Sequence, residues 1–293
     1  MSERFYRFTT AVSRWVGIWF FSFSARIVAA GYFVGCPRKV GAGIRFYRSL
    51  FPGRGRISAL AATWRQYQRF TTVFVDRFRL REESRLDYRS QGLEHLRAAV
   101  QSGTGGVIVM SHLGNWEVAA HLLRQSGDDF PLLLYMGARR KEQIERRQKA
   151  SLARSGVRII AADEGGGSPY DVIEGVRHLR AGGLVSLTGD VIWHPDQRTV
   201  TVPFLRGTAR IPEMPHALAL AAGAPLFVLF AVRTGPGRYD FSVTPPMSVT
   251  AESRADRPEA IRRSAQRYAA LLGAKVREHP DQWYHFSPFL TEN

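Results

Sequence analysis

Cysteine is almost absent from this chain, since Cys36 is the only one among 293 residues. A single thiol argues against a disulfide framework and is compatible with a reducing compartment. Cysteine and histidine show no spacing typical of a structural zinc site, and we expect no metal. The chain also has no internal repeat and no low-complexity segment.

Two common signatures of catalysis are missing as well. Gly165-Gly166-Gly167 is not followed by Lys-Ser/Thr, so it does not predict a phosphate-binding loop. Ser111 does not lie in a Gly-x-Ser-x-Gly sequence, so the pattern does not require a serine nucleophile.

Acidic residues are scarce in the first part of the chain, where Glu3 is the only one through Arg56. The same stretch carries ten basic residues, and the whole chain has a net charge of +16. Such a cluster attracts anionic lipid headgroups, by about 1 kcal/mol per charge near the surface. It would equally attract nucleic acid or an acidic carrier protein. We expect an anionic membrane surface as partner and no nucleic acid.

An apolar segment rich in aromatic residues, Trp15 to Cys36, lies inside this basic region. Its length suits a membrane-spanning helix, but Arg26 near its middle makes full insertion costly. We therefore predict an interfacial or partly inserted anchor, with residues 1–56 as a membrane-anchoring segment and 57–293 as the main domain. The alternative is a buried amphipathic helix of that domain. A cleaved signal peptide is disfavoured because the apolar stretch has no clean small-residue cleavage site.

Apolar runs of strand length alternate with segments of helical period through the rest of the chain. Strands are predicted at 106–111, 131–135, 157–161, 184–189 and 225–232. Helices are predicted at 57–81, 92–100, 115–126, 139–154, 170–181, 212–222 and 258–279. This alternation predicts an α/β fold with a mostly parallel central sheet flanked by helices. Residues 233–239 are predicted to turn a hairpin.

One turn carries both a histidine and a carboxylate. It follows a predicted strand and precedes a predicted helix, the place where open α/β sheets bind ligands. His112 can accept a proton near neutral pH, and a carboxylate on its other ring nitrogen would fix the tautomer and stabilise the imidazolium. Glu117 is the predicted carboxylate, provided that Gly114 bends the chain and Asn115 caps the helix.

The sequence His-Leu-Gly-Asn-Trp-Glu at 112–117 resembles the His-x-x-x-x-Glu signature of glycerolipid acyltransferases. A second block, Gly182 to Asp190 followed by Val202 to Ala209, is similar to segments of the bacterial lipid A late acyltransferases. These are the lauroyl and myristoyl transferases of the lysophospholipid acyltransferase superfamily. The resemblance covers roughly residues 85 to 290 and departs from the family at Tyr135 to Gly137, at Val191 and at the C-terminal Trp283 to Phe289.

The resemblance implies transfer of a fatty acyl chain from an acyl thioester to a hydroxyl or amine of a lipid or glycolipid. Acyl carrier protein or coenzyme A would carry the acyl chain as co-substrate, and no cofactor is expected. His112 would be the general base, oriented by Glu117. Donors to the oxyanion would come from Asn115, from backbone amides at the helix start or from an arginine.

Other substrate-binding residues are expected at strand and helix ends. Asp190, at the end of a strand, would hold the acceptor or an arginine; the alternative is a turn or cap residue. The remaining candidates are arginines, Arg154, Arg206 and Arg210. The resemblance also implies a protein of the inner (cytoplasmic) membrane, with its catalytic domain on the cytoplasmic side.

Two other interpretations stay open. Arg206 to Arg210 faintly resembles the Phe-Pro-Glu-Gly-Thr-Arg block of lysophosphatidic acid acyltransferases, but the glutamate is missing. A non-enzymatic basic membrane-binding protein would explain the charge, but not the two ordered motifs.

Overall fold

The helices and strands are those of a computed structural model. It describes residues 17–81, 86–126, 130–137, 158–162 and 169–291, with Val12, Trp15 and Asp128. The helices are α1 Ile18–Gly35, α2 Pro37–Leu50, α3 Arg56–Arg81, α4 Leu93–Gln101, α5 Trp116–Gln125, α6 Pro169–Arg180, α7 Met214–Ala222 and α8 Arg257–Glu278, with a 3-10 turn at Pro280–Gln282. The strands are β1 Asp87–Gln91, β2 Gly106–Met110, β3 Leu132–Gly137, β4 Arg158–Ala162, β5 Leu184–Thr188, β6 Thr199–Phe204, β7 Gly207–Pro212, β8 Leu226–Gly235, β9 Arg238–Val243 and β10 Leu290–Thr291.

Seven strands form the central sheet in the order β1-β9-β8-β2-β5-β3-β4. Every neighbouring pair is parallel except β8 and β9, which form an antiparallel hairpin. The predicted α/β fold with a mostly parallel sheet is confirmed, and so is the hairpin. Adjacent parallel strands end at the same edge of a sheet, so β2 and β5 bring their following turns together.

Side chains of β2 alternate between two hydrophobic cores. Val107 and Val109 belong to one core, Ile108 and Met110 to the other, and all four are buried. Successive side chains of a strand point to opposite faces, so burial of all of them requires a packed layer on each face. This is why the apolar run at 106–110 predicts a central strand.

Two parts of the secondary structure differ from the prediction. Strands β6, β7 and β10 form a separate three-stranded antiparallel sheet, and β1 pairs with β9; neither was predicted. The residues of β1 do not alternate between buried and exposed positions, so the sequence of this segment has no alternating hydrophobic pattern that would predict a strand. The predicted helix at 139–154 lies outside the described residues.

Helix α3 joins the N-terminal helices to the rest of the molecule. Phe21 of α1 stacks on Phe78 at 5.5 Å, and Phe33 meets Trp64 edge-on at 5.1 Å, so α1 runs antiparallel to α3. Within the described part of the chain, Ile18–Gly35 is the one helix long and apolar enough to cross a membrane. Less than a quarter of this helix is buried, and it is the candidate membrane-associating segment.

Candidate active site

His112 lies in the short turn between β2 and α5. Gly114 adopts a φ of 77°, and a Cβ at this position would lie 2.0 Å from the carbonyl oxygen of Ala231. Only glycine tolerates both the left-handed conformation and this close approach. The next residue, Asn115, donates its backbone N–H to the same carbonyl at 2.9 Å. The predicted bend at Gly114 is therefore confirmed, and it presses the turn against β8.

Asp190 is the carboxylate that contacts the His112 ring. It follows β5, whose last residue, Thr188, pairs with Met110 at the end of β2. Oδ1 of Asp190 lies 2.9 Å from Nδ1 of His112, and Oδ2 accepts the backbone N–H of His112 at 2.7 Å. A carboxylate on Nδ1 stabilises the tautomer that carries its proton there, which leaves Nε2 as the nitrogen that can accept a proton.

Burial and charge compete at this carboxylate, whose residue is only 1% exposed. Burial raises the pKa of Asp190, but the charge and hydrogen bond of His112, the charge of His285 and the hydrogen bond of Trp283 together lower it below its usual value. Asp190 is therefore held ionised beside the histidine. An anionic partner of this kind stabilises the imidazolium that forms when His112 takes up a proton.

Glu117 forms an ion pair with Arg77, a contact that was not predicted. Arg77 of α3 reaches the first turn of α5, where its Nε and Nη2 lie 2.7 Å and 2.6 Å from Oε2 of Glu117. Both side chains are almost fully buried. Nδ1 of His112 bonds Asp190, and the role of Glu117 in orienting the ring stays a prediction. In the sequence, Arg77 is only one of several arginines of α3 and had no predicted role.

Asn115 caps α5, as predicted. Its Oδ1 accepts the backbone N–H of Val118 at 3.4 Å, while its Nδ2 lies 3.4 Å from the hydroxyl of Tyr239. The residue is buried. Tyr239 in turn donates to Asp76 at 2.7 Å, and Asp76 also accepts Nε of Arg233 at 2.6 Å. The end of the turn that carries His112 is therefore held by a buried polar network that joins α3, β8 and β9.

The three arginines predicted to bind substrate do not all lie in described parts of the structure. Arg206 lies in the turn between β6 and β7, and Arg210 on β7 donates to Oγ1 of Thr199 at 3.1 Å. Both are exposed. Arg154 lies outside the described residues.

Two tryptophans that had no predicted role in the site lie beside His112. The ring of Trp193, in the loop after Asp190, has its centroid 6.4 Å from that of His112 and donates Nε1–H to Thr188 at 3.2 Å. Trp283 donates its Nε1–H to Oδ2 of Asp190 at 2.9 Å. Within the described ranges, no group of three or more histidine, cysteine, aspartate or glutamate residues is placed to hold a metal ion.

A histidine at a strand end, backed by a buried carboxylate, is an arrangement that a class of α/β enzymes uses for acid–base chemistry. Sequence comparison gives the particular family. The chain belongs to the bacterial lipid A biosynthesis acyltransferase family, whose sequence model matches residues 56–291. The predicted family, which is one of acyltransferases, is confirmed.

Curated relatives include phosphatidylinositol mannoside acyltransferases. That of Mycobacterium tuberculosis strain H37Rv is 28% identical over 226 residues, which are 77% of this chain and 66% of that protein. That of Mycolicibacterium smegmatis is 25% identical over 235 residues, 80% of this chain and 71% of the relative. The match thus spans slightly less than two thirds of the first relative's length.

Proposed function

We propose that this protein is a membrane-associated acyltransferase that moves a fatty acyl chain from an acyl thioester to a hydroxyl of a lipid or glycolipid. The observation that carries the proposal is the contact between His112 and the buried Asp190, in a chain of an acyltransferase family. The donor is acyl carrier protein or coenzyme A, and an amine acceptor would react in the same way.

The reaction follows from the two nitrogens of His112. Nε2 removes the proton of the acceptor hydroxyl while the oxygen attacks the thioester carbonyl. The new carbon–oxygen bond forms, the carbon–sulfur bond breaks, and the proton passes from Nε2 to the departing sulfur. General base catalysis of this kind contributes a factor of about 10²–10⁴.

Asp190, rather than Glu117, is the orienting carboxylate in this proposal. It is bonded to Nδ1, and its charge is compensated best when the ring is protonated. Glu117 serves the site indirectly, since its pair with Arg77 fixes the first turn of α5 against α3. Because Asn115 is already engaged by Val118 and Tyr239, an arginine is favoured as donor to the oxyanion, with Arg154, Arg206 and Arg210 as candidates.

The acceptor class is suggested by the curated relatives. Their names describe acylation of phosphatidylinositol mannosides, which are mannosylated lipids. A glycolipid whose sugar hydroxyl reaches Nε2 of His112 therefore becomes the first acceptor to test, ahead of a lipid A precursor. Lysophosphatidic acid represents the alternative branch of the superfamily.

Membrane association is proposed through α1 and the neighbouring face of α3. Trp19, Phe23 and Ile27 recur every fourth residue on α1, and each is more than half exposed. Leu60 and Trp64 of α3 extend this apolar face and are also exposed. An apolar, aromatic face within a basic region suits the headgroup boundary of an anionic bilayer. The inner membrane and its cytoplasmic side remain part of the proposal.

The decisive experiment is an acyl-transfer assay with the full chain and defined substrates. Acyl carrier protein and coenzyme A thioesters are each offered with a phosphatidylinositol mannoside, a lipid A precursor and lysophosphatidic acid, and products are identified by mass spectrometry. Transfer to a glycolipid that is lost in His112→Ala supports the proposal. Transfer to lysophosphatidic acid alone would favour the alternative branch, and no transfer from either donor would contradict the activity.

A further inference from the structure

A C-terminal segment completes the surroundings of the catalytic turn. The backbone N–H of Tyr284 donates to the carbonyl of His112, and the N–H of Gly114 donates to the carbonyl of Gln282, each at 2.9 Å. Leu113 and Trp283 pair between them as an antiparallel bridge. The segment at 282–284 is therefore bound along the turn that carries His112, although this segment lies about 170 positions after His112 in the sequence.

Trp283 places its only polar side-chain atom on Asp190. Nε1–H donates to Oδ2 at 2.9 Å, on the same oxygen that accepts the backbone N–H of His112, while Oδ1 is bonded to the ring. Two donors on Oδ2 and one contact on Oδ1 fix the plane of the carboxylate. Rotation of that plane would break the bond to the His112 ring.

The indole itself has little freedom to move. Trp283 is 1% exposed and lies among the rings of Phe46, Phe204 and Phe289, at centroid distances of 5.1, 5.8 and 4.9 Å. His285 stacks on its other side at 5.3 Å, with ring planes 28° apart. A packed aromatic ring holds its N–H in one direction, which makes it a suitable fixed donor to a buried charge.

We propose that Trp283 is a positioning residue for acyl transfer, whose indole N–H holds Asp190 in the orientation that aligns His112. This inference rests on the proposed function. It assigns Trp283 a role through Asp190 and none in direct contact with substrate.

Loss of the N–H has a definite consequence for protonation. With one donor fewer, the ionised Asp190 is less well compensated, so the pair of Asp190 and His112 binds one proton more tightly. Activity requires the pair without that proton, so the acidic limb of the rate profile moves to higher pH. Among the described residues, the other titratable groups that act on Asp190 are His285, on the C-terminal segment, and Tyr268, on α8.

The test replaces the N–H alone. Genetic code expansion places β-(3-benzothienyl)alanine at position 283, which keeps the shape of the indole and substitutes sulfur for the N–H. Trp283→Phe is made in parallel. We expect kcat to fall by about tenfold or more, KM to change by less than about twofold, and the acidic limb of kcat to move upward, because a hydrogen bond to a charged group is lost.

The matched control is Tyr284→Phe, which removes a hydroxyl of the adjacent residue that points to the carbonyl of Arg69 and not to Asp190. It should leave the acidic limb in place. A benzothienyl variant that folds normally and keeps the wild-type kcat and acidic limb would overturn the inference. So would a fall in kcat without movement of the limb, because that result indicates a structural role alone.

Failure of the proposed function gives a different pattern. If His112→Ala retains full activity, or if no acyl transfer occurs, the proposed reaction is wrong. The effect of the Trp283 N–H on Asp190 and His112 is then still tested by NMR, which follows the protonation of His112 directly. Titration of ¹³C-labelled His112 in the substrate-free protein should show a higher pKa in the benzothienyl variant than in wild type. An unchanged titration would overturn the inference by itself.

Discussion

The Arg77 guanidinium and the Glu117 carboxylate form a buried ion pair, with Nη2 of Arg77 2.6 Å from Oε2 of Glu117. Arg77 is in the long helix α3, and Glu117 is in the first turn after His112. The glutamate of the family signature is therefore tied to a helix that precedes the signature in the chain. The turn that carries the motif is thus fixed at two points, at His112 by Asp190 and at Glu117 by Arg77.

Removing one member of this pair should cost stability. Glu117→Gln leaves the Arg77 charge buried with weaker compensation, and loss of one partner of a buried pair costs about 3–5 kcal/mol. Chemical denaturation should show this decrease in the free energy of unfolding. Replacing both residues, as Arg77→Met with Glu117→Leu, should recover part of it. If Glu117→Gln instead keeps full stability and shifts the acidic limb of the rate profile, the glutamate acts on His112 as originally predicted.

His112 and Asp190 should fail together in catalysis. We expect His112→Ala to reduce kcat by at least about 10²-fold, the lower range for a lost general base, and Asp190→Asn to approach the same loss. The double variant should be little worse than either single one, because residues that act as a unit are not additive. His95→Ala, on α4 and outside the site, serves as control. Near wild-type turnover of a folded His112→Ala protein would remove the pair from the mechanism.

His216 should make the folded protein sensitive to mild acid. Burial lowers the pKa of His216 from 6.5 to about 4, and its Nδ1 lies 2.8 Å from Oγ of Ser264. Between these two values the unfolded chain binds the proton and the folded one does not, so stability falls as pH falls through this window. The contribution of His216 should be about 2 kcal/mol less favourable at pH 5 than at pH 7, at about 1.4 kcal/mol per pKa unit.

The comparison that isolates this effect uses His216→Gln. Unfolding free energies of both proteins are measured at pH 7 and pH 5. Other histidines whose pKa is lowered, such as His285, contribute equally to both proteins, so the difference between them belongs to His216. Parallel pH dependence in the two proteins would contradict the prediction.

The exposed face of α1 should control membrane binding. Replacing Trp19, Phe23 and Ile27 together by serine removes three apolar side chains that are more than half exposed. Burial of such side chains is worth about 1.5–3 kcal/mol each, so partitioning onto anionic vesicles should weaken at least tenfold. The measurement is sedimentation with vesicles. High salt should leave most of the intact protein bound, because salt screens charge but not apolar burial.

The matched control changes an apolar surface elsewhere. Val172 and Ile173 on α6 are also exposed, and their replacement by serine should leave vesicle binding unchanged. If the intact protein stays in the supernatant at low salt, the face of α1 is a partner interface or a core surface, and the acceptor need not be a bilayer lipid.

Local pattern predicted the central sheet well, because β2 and β5 are short apolar runs bounded by glycines and turns. The contact between Asp190 and Nδ1 of His112 was not predicted. Spacing within the motif favoured Glu117, five positions away, whereas the contact at Nδ1 comes from Asp190. That contact depends on β2 and β5 being neighbours in the sheet, a relation between distant segments that no local spacing records. Trp283 was visible only as a departure from the family's usual ending.

Helix α3 contacts both the proposed lipid-facing helix and the turn that carries His112. Phe78 lies against Phe21 of α1, while the neighbouring Arg77 holds Glu117. A helix of 26 residues is a stiff rod of about 39 Å, at 1.5 Å per residue. Once α1 rests on a bilayer, this rod sets one height and one tilt for His112 above the lipid surface. The length of an acceptor's headgroup then becomes a selection criterion in its own right, independent of any pocket that recognises its chemistry.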